Sequence, residues 1–444
     1  MNTEVLVGVL QRAVAKGATA ADGYLIEERA FSASVRLGEI ETVTHSRDAR
    51  LSIRVFAGRA SAAASTSDLS RASLERVVDE ATSLAKVTAE DPHAGLPAPD
   101  ELIGGVPDLD LEDASPSLSP EAKIELARRC EAAALESDSR ITNSEGAEYH
   151  DSRARYVYAT SHGFAQGYAT TRFGISVSPV AARNGEMQRD YWYSSARKRA
   201  GLDDPATVGR TAAARAVRRL GARKVKTVEV PVVFDPETAA SLLRAIAGAA
   251  SGPSLYRRAS FLLDRLGTKI ASPAVTIVDD ARITGGLGSR PFDGEGLPTR
   301  RTALVREGVL ESYLLDTYCA RKLGLRSTHH AARDGSGVSV STSNLMLLPG
   351  RSTPSELIGS VERGLYVTEL IGFGVNNVTG DYSRGAVGLW IENGELTYPV
   401  EEVTVAGNLL EMFQAIDGVG ADLVLRDRTA APTLRIGRMV VAGD

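Results

Sequence analysis

An Asn-Gly pair between two runs of strand-forming residues constrains the fold of this 444-residue chain more than any other feature. Residues 386–392 alternate in character before Asn393-Gly394, and residues 395–400 follow it. Asn-Gly favours a two-residue hairpin turn, because both central positions of that turn need a positive φ. The pattern therefore predicts that 395–400 pairs back onto 386–392. We expect the preceding polar segment Gly380–Gly385 to be a loop that this hairpin holds at a fixed place.

Residues 1–225 combine helical and strand patterns and are predicted to form an N-terminal α+β domain with an antiparallel sheet. Apolar spacing predicts helices at 4–16, about 70–85, about 120–137 and about 205–220. Alternating patterns predict short strands at 22–28, 31–37, 39–45, 50–56, 59–65, 140–149, 152–160, 163–178 and 187–195. Proline and acidic residues concentrate between about 86 and 120, which predicts a linker or an extended crossing segment. The domain looks like one sheet-and-helix layer used twice.

Residues 226–444 are predicted to form a β-rich C-terminal domain with a few covering helices. An apolar strand, Val228–Phe234, comes first, and Asp235-Pro236 then begins a helix that continues to about residue 251. Strand patterns dominate from about 274 to 441, with short helices near 316–323, 353–363 and 408–416. The fold class is therefore α+β, with the sheet-and-helix domain first and the β-rich domain second.

Composition excludes several classes of protein. A net charge of −5 and a pI near 5.8 give no electrostatic reason to expect nucleic acid or an anionic membrane as a partner. No window approaches the ~20 apolar residues of a membrane helix, and the N-terminus lacks the pattern of a signal peptide. The two cysteines, Cys130 and Cys319, are too few and too distant for a disulfide framework. We expect a protein of the reducing cytoplasm.

The usual catalytic patterns are weak in this chain. No Gly-x-Ser-x-Gly nucleophile elbow is present. His329-His330 is the only histidine cluster, and neighbouring residues project to different sides, which makes a poor metal site. Acidic clusters in loops are more often turn formers than catalytic pairs. Those that invite a hydrolytic site are Asp279-Asp280, Asp293 and Glu295.

A series of ordered motifs in the C-terminal half resembles the PmbA (TldE) branch of the TldD/PmbA family. That branch carries a thr-glu-leu segment, a glycine-rich segment, gly-asp-tyr-ser-arg-gly, an aromatic segment ending in asn-gly, and ala-gly-asn. In this sequence they are Thr368-Glu369-Leu370, Gly372 with Gly374, Gly380–Gly385, Trp390–Gly394 and Ala406-Gly407-Asn408. The resemblance extends more weakly over essentially the whole chain.

The resemblance also locates a metal motif that this chain lacks. In the TldD branch the helix equivalent to 236–251 carries His-Glu-x-x-x-His, which binds zinc. Alignment on Arg257-Arg258 and Ser260-Phe261 puts those positions at Arg244, Ala245 and Ala249. Zinc catalysis needs imidazole or carboxylate ligands, an open position for water and a general base, and arginine and alanine supply none of them. We therefore predict no catalytic and no metal residue in this chain.

The family resemblance implies that TldE-type chains form a heterodimer with a TldD-like subunit, which carries the zinc. The pair encloses a chamber that admits unstructured peptides and acts in proteolysis and in trimming leader peptides from precursors. The first hypothesis is that this chain is the non-catalytic subunit. Two alternatives are a homodimeric peptide-binding protein without a proteolytic role, and an autonomous metallopeptidase or other hydrolase with an unrecognised site.

The segment Gly380–Gly385 has two interpretations. In the first, Asp381 caps a turn and Arg384 pairs with it or with a main-chain carbonyl, so that the motif only fixes the hairpin. In the second, Tyr382 and Arg384 face a cavity and hold a peptide, while the strand Thr368–Ile371 adds a peptide strand at its edge. The candidates for peptide binding are Thr368, Glu369, Asp381, Tyr382, Ser383 and Arg384.

Overall fold

A computed structural model describes residues 3–333 and 337–443 and confirms the predicted α+β class. Most of the helices begin at a Ser, Thr, Asp or Asn whose side chain accepts a backbone N–H of the first turn, which is why they start where they do. Within the described residues no helix has the length and apolar character needed to cross a membrane. The helices are α1 Thr3–Ala15, α2 Arg71–Val87, α3 Pro120–Leu135, α4 Pro205–Val217, α5 Pro236–Ala249, α6 Gly252–Tyr256, α7 Thr317–Leu323, α8 Pro354–Gly359 and α9 Leu409–Gln414.

The N-terminal half contributes one antiparallel sheet in the order β3-β2-β1-β4-β5-β6, with β7 also paired to β5. Its strands are β1 Ala20–Arg36, β2 Glu39–Ala57, β3 Ala60–Thr66, β4 Ile141–Thr160, β5 Ala165–Arg183, β6 Glu186–Arg189 and β7 Trp192–Ala196. The prediction of many short strands was wrong here. The pairs 22–28 with 31–37, 39–45 with 50–56, and 140–149 with 152–160 are each one long strand. Their polar central residues stay in the ladder because β1 is paired along most of its length to both β2 and β4.

The two predicted sheet-and-helix layers share this single sheet. Helices α1 and α2 cover one end of it, where Leu25, Ile53 and Val157 are buried. Helices α3 and α4 cover the other end of the same face, over Tyr149 and Val177. Because side chains alternate between faces along a strand, the opposite face carries a separate set of residues, many of them tyrosines, toward the C-terminal half.

The C-terminal half contains three further sheets and most of the large apolar core. One sheet has the order β11-β10-β9-β14-β19 and a two-stranded ribbon pairs β12 with β13, while a six-stranded sheet has the order β17-β16-β15-β8-β20-β18. In chain order the strands are β8 Val228–Phe234, β9 Ile277–Asp280, β10 Arg301–Arg306, β11 Val309–Leu310, β12 Ala331–Arg333, β13 Val338–Val340, β14 Leu345–Leu347, β15 Arg363–Ile371, β16 Asp381–Glu392, β17 Glu395–Asn408, β18 Ile416–Val419, β19 Thr429–Ala430 and β20 Leu434–Ala442.

The predicted hairpin is confirmed. Asn393 and Gly394 have φ values of 51° and 78°, as their turn requires, and Glu392 pairs with Glu395. The segment Gly380–Gly385, however, is not a loop. From Asp381 onward it is the first part of β16 and pairs with β17, because the neighbouring strand extends to Asn408 and supplies backbone partners for it.

The proline-rich segment crosses between the two halves and is hydrogen-bonded to both. Ile103 N donates to Gly296 O at 2.9 Å, and Thr171 N of the N-terminal sheet donates to Leu111 O at 2.9 Å. Leu111 is buried. Of the two forms predicted for 86–120, the structure therefore shows the crossing segment.

A buried ionic cluster also joins the halves. Asp22 of β1 accepts hydrogen bonds from Arg54 Nη2 at 2.7 Å, from Tyr158 Oη at 3.1 Å and from Arg333 of the C-terminal half. Arg54 is also 3.3 Å from Glu295. Both Asp22 and Arg333 have fully buried side chains. The N-terminal sheet is thus tied to the C-terminal half through paired charges.

Candidate functional site

Helix α5 presents the positions that correspond to the metal motif of the TldD branch. Arg244 is exposed, Ala245 is half-buried and Ala249 is fully buried. None of the three side chains has a donor atom that suits zinc. Among residues 3–333 and 337–443, no three His, Cys, Asp or Glu side chains lie together as a metal site would require. The residues at this helix therefore do not fit a resident zinc ion.

The motif-rich segment between β15 and β16 packs against the C-terminal part of α5. A methyl group on Gly248 would lie 3.5 Å from Asn377 Nδ2, and Phe261 N donates to Asn377 O at 3.0 Å. On the other side of Gly248, the exposed face of α5 borders a small cavity of about 260 Å³ that Arg244 and Ser341 also line. The structure thus brings the helix and the glycine-rich motif of the resemblance to one place.

Several of the predicted peptide-binding residues make hydrogen bonds within the chain; Asp381, for example, accepts one from the Thr379 hydroxyl at 2.6 Å. The buried Thr368 donates to Val387 O at 3.4 Å, and Glu369 accepts a hydrogen bond from Arg219 at 2.5 Å. Asp381 and Ser383 are exposed. β15 is an inner strand, but β8 pairs only with its residues 365–367, so 368–371 extend beyond β8 and, of these, 369–371 pair with β16 on one side.

Tyr382 and Arg384 lie close to one another but differ in burial. Tyr382 is buried in the C-terminal core, where burial raises its pKa to about 12 although Arg384 and Ser241 lie near its hydroxyl, and that hydroxyl makes no hydrogen bond of good geometry among the described residues. Arg384 is half-buried and donates to Leu370 O at 3.2 Å. Arg384 thus has a main-chain carbonyl partner, as in the first interpretation of this segment. A role for either residue in peptide binding stays a prediction.

The two adjacent histidines are held in separate hydrogen-bond sets. His330 is buried, with Nε2 3.2 Å from Asp279 Oδ2 and Nδ1 2.9 Å from the Thr328 hydroxyl. His329 Nδ1 lies 2.6 Å from Pro298 O, and burial lowers its pKa. Each ring therefore has a structural partner of its own.

The buried acids Asp293 and Glu295 organise a turn. Asp293 Oδ1 accepts the N–H groups of Glu295 at 2.9 Å and Leu297 at 3.0 Å, and Oδ2 accepts that of Ala331 at 3.2 Å. Burial and the neighbouring Glu295 raise the pKa of Asp293 to about 7. Glu295 pairs with Arg54. These contacts are those of turn-forming residues.

A second, larger cavity lies where the tyrosine-bearing face of the N-terminal sheet meets C-terminal loops. Its volume is about 620 Å³, within the range of small-ligand and peptide pockets. We call it the arginine cavity, because five guanidinium groups line it against the carboxyl groups of Glu28 and Asp293. The five are Arg172, Arg197, Arg290, Arg333 and Arg428.

The remaining walls of the arginine cavity are aromatic. Tyr156 and Tyr168 stack with their ring centroids 5.0 Å apart, and Phe292 meets Tyr168 edge-on at 5.2 Å. Val340 and Ser341 line both this cavity and the smaller one beside α5, so the two cavities are neighbours.

Sequence reasoning did not find the arginine cavity. Its arginines lie on β5, after β7, before β10, on β12 and before β19, and no spacing in the chain connects them. The one available signal was the tyrosines of β1, β4 and β5, at Tyr24, Tyr156 and Tyr168, which mark one face of each strand.

Comparisons with known proteins agree across the whole chain. Sequence profiles of the PmbA/TldA metallopeptidase family match residues 21–85 (domain 1), 113–220 (central domain) and 227–443 (C-terminal domain). Metalloprotease PmbA of Escherichia coli O157:H7 is 41% identical over 414 residues, which are 93% of this chain and 90% of that protein.

Solved structures show the same fold. A Bacteroides thetaiotaomicron protein, described as a proposed modulator of DNA gyrase, superposes with a TM-score of 0.92 at 31% identity, covering 100% of this chain and 99% of its own. TldE from Thermococcus kodakarensis has a TM-score of 0.88 at 22% identity, covering 99% and 100% of the two chains. The second likeness concerns the fold alone.

Proposed function

The chain belongs to the PmbA/TldD metallopeptidase family, and we propose that it is the non-catalytic, TldE-type subunit of a two-subunit zinc metallopeptidase of the cytoplasm. The complex would cleave unstructured peptides or trim leader peptides from precursors, with zinc and the hydrolytic groups in a TldD-like partner. The observation that carries this proposal is the set of residues on α5. The helix has Arg244, Ala245 and Ala249 where a metal-bearing subunit needs two histidines and a glutamate.

In this proposal the chain contributes binding surface rather than a hydrolytic group. The arginine cavity and the smaller cavity beside α5 are adjacent, and together they offer space of about 620 and 260 Å³. A peptide seated there would lie beside the helix that corresponds to the partner's metal-bearing helix. The chain's residues would then hold and orient the peptide and limit which chains enter.

An exposed apolar segment supports the presence of a partner subunit. Phe373 is 101% exposed, and Ile371 and Val378 are each 55% exposed, all within or beside the motif segment that packs on α5. An apolar cluster of this kind on a folded surface marks a protein contact. We assign this segment to the contact with the TldD-like subunit.

The test measures zinc content and peptidase activity of the purified chain, alone and after mixing with a homologue that carries His-Glu-x-x-x-His. We expect one equivalent of zinc and peptide cleavage only in the mixture. Zinc binding and cleavage by this chain alone would contradict the proposal. A stable homodimer that binds peptide and never activates the homologue would establish the alternative, a peptide-binding protein without a proteolytic role.

Two variants probe the contact and the motif separately. Phe373→Ser should weaken assembly with the partner, whereas Val87→Ser, at an 81% exposed site on α2, should leave it unchanged. Arg384→Ala in the assembled complex tests whether the motif segment acts on the peptide. Unchanged cleavage would show that Arg384 only stabilises the hairpin, through its hydrogen bond to Leu370 O.

A further inference from the structure

The lining of the arginine cavity has five guanidinium groups and only the two carboxyl groups of Glu28 and Asp293, so positive charge is in excess. Arg333 is paired with Asp22. Arg172 has one long contact, 3.7 Å, with Asp427. Among the described residues, Arg197, Arg290 and Arg428 have no carboxylate within ion-pair distance. A lining of this kind favours a negatively charged occupant.

Within residues 3–333 and 337–443, these three guanidinium groups bond to backbone carbonyls and, for Arg428, also to the Ser341 hydroxyl. Arg197 donates to the carbonyls of Gly286, Thr171 and Leu287. Arg290 Nη2 donates to Ser341 O at 3.1 Å, and its buried Nε has no partner among the described residues. These carbonyl bonds fix the side chains in place without cancelling their charge, as a preorganised anion site requires.

The arginines also repel one another in the absence of an anion. Desolvation lowers the pKa of Arg428, and the neighbouring Arg290 and Arg172 add to that effect. Asp279 and Asp427 oppose it. Desolvation likewise lowers the pKa of Arg197, with Arg172 and Arg428 contributing. The four groups line one cavity from separate strands and loops, so the positive charge is spread along its wall rather than held at a single point.

We infer that the arginine cavity binds an acidic segment of an extended polypeptide, with carboxylate side chains paired to Arg290, Arg428 and Arg197 and the chain lying against Tyr156 and Tyr168. Several guanidinium groups along one cavity can bind several carboxylates of a peptide, and each arginine can form a bidentate pair with one carboxylate. The aromatic wall suits the apolar parts of a peptide. That the ligand is a polypeptide rests on the function proposed above; that it is anionic rests on the cavity alone.

The test uses the isolated full-length chain and a fluorescein-labelled peptide of about 12 residues that contains several glutamates, followed by fluorescence anisotropy. The comparison peptide has glutamine at each glutamate position. We expect the glutamate peptide to bind roughly 10- to 100-fold more tightly, from two or more charge-assisted pairs, and to weaken as salt is raised. Equal affinity for the two peptides would overturn the inference.

The cavity variant Arg290→Gln/Arg428→Gln should lose that preference. A matched control, Arg326→Gln/Arg351→Gln, removes the same two charges from exposed arginines that do not line the cavity, and should keep it. Wild-type affinity in the cavity variant would overturn the inference. If that variant does not fold, Arg428→Glu replaces it, and a shift in preference from the glutamate peptide to a lysine peptide is expected.

Inorganic phosphate distinguishes a polypeptide site from a simple anion site. The inference is supported if phosphate displaces the glutamate peptide only at concentrations far above the Kd of the peptide. Phosphate binding as tightly as the peptide would overturn it. Because no partner subunit is present, the outcome does not depend on proteolysis. If the isolated chain does not bind the glutamate peptide but the mixed complex cleaves peptides, only this inference is wrong. If the chain binds the peptide but the mixed complex is inactive, only the proposed function is wrong.

Discussion

The buried cluster of Asp22, Arg54, Arg333 and Glu295 allows a stability prediction with a definite size. Its two guanidinium and two carboxylate groups sum to zero charge, and the side chains of Asp22 and Arg333 are fully buried. Asp22→Asn keeps the shape of the side chain but leaves one positive charge without a partner in the interior. It also turns an amide N–H₂ toward groups that are themselves donors.

Removing one partner of a buried ion pair costs about 3–5 kcal/mol of unfolding free energy, because the remaining charge stays desolvated. The assay is urea unfolding at pH 7, followed by circular dichroism and tryptophan fluorescence. Asp79→Asn is the control, since Asp79 and Lys16 form a partly exposed pair whose loss should cost less than about 1 kcal/mol.

A second substitution tests the charge argument itself. Arg333→Met in the Asp22→Asn background restores neutrality, because Arg54 and Glu295 still pair. We expect the double variant to be more stable than the sum of the single effects by about 1–3 kcal/mol. A loss below about 1 kcal/mol for Asp22→Asn, or purely additive effects, would refute the reasoning.

The same cluster makes part of the stability acid-labile. Burial alone would raise the pKa of Asp22, but Arg333 and Arg54 outweigh it and hold the pKa below its ordinary value. The folded protein therefore releases this proton more readily than the unfolded chain does. The resulting stabilisation is present above the pKa of Asp22 in the unfolded chain, about 3.9. It is lost as the pH falls through the lower pKa that Asp22 has in the folded protein. Asp22→Asn should remove this acid-dependent part of the unfolding free energy.

Three further predictions follow from single contacts. Gly374→Ala would place a methyl group 1.7 Å from Ser383 O, so we expect about 1–3 kcal/mol of destabilisation in urea unfolding, and an unchanged midpoint would contradict this. Burial raises the pKa of Cys130 to about 12 and also raises that of Cys319, so neither thiol should react with a thiol reagent at pH 8 until urea unfolds the chain. Tyr382→Phe removes a buried hydroxyl that makes no hydrogen bond of good geometry among the described residues, so the urea midpoint should stay constant or rise, and a clear fall would contradict this.

Local signals in the sequence were sufficient for the elements that depend on neighbouring residues. The Asn393-Gly394 turn needs a positive φ at both positions, and Asn and Gly are the residues that adopt a positive φ most readily. Helix α5 begins at Asp235 because its carboxylate accepts the N–H of Thr238, a local contact that Asp-Pro predicts. The sequence was also sufficient to predict that Arg244, Ala245 and Ala249 do not bind zinc, because this follows from the chemistry of their side chains alone.

Strand lengths could not be predicted in the same way. The centres of β1, β2 and β4 carry polar residues that look like breaks, yet each residue is hydrogen-bonded to a neighbouring strand. The first residues of β16 look like a loop for the same reason. Backbone pairing is made between segments far apart in the chain, and alternation of side chains reports burial rather than pairing.

The sequence by itself determined the family, the α+β class, the central hairpin and the lack of zinc ligands at Arg244, Ala245 and Ala249, because each rests on residue identity and short-range geometry. Only the tertiary structure decided that arginines from five separate segments line one cavity and that Asp22 and Arg333, 311 positions apart, form one buried pair. Charges interact through space, so their partners are set by how the two halves of the molecule pack and not by their order in the chain.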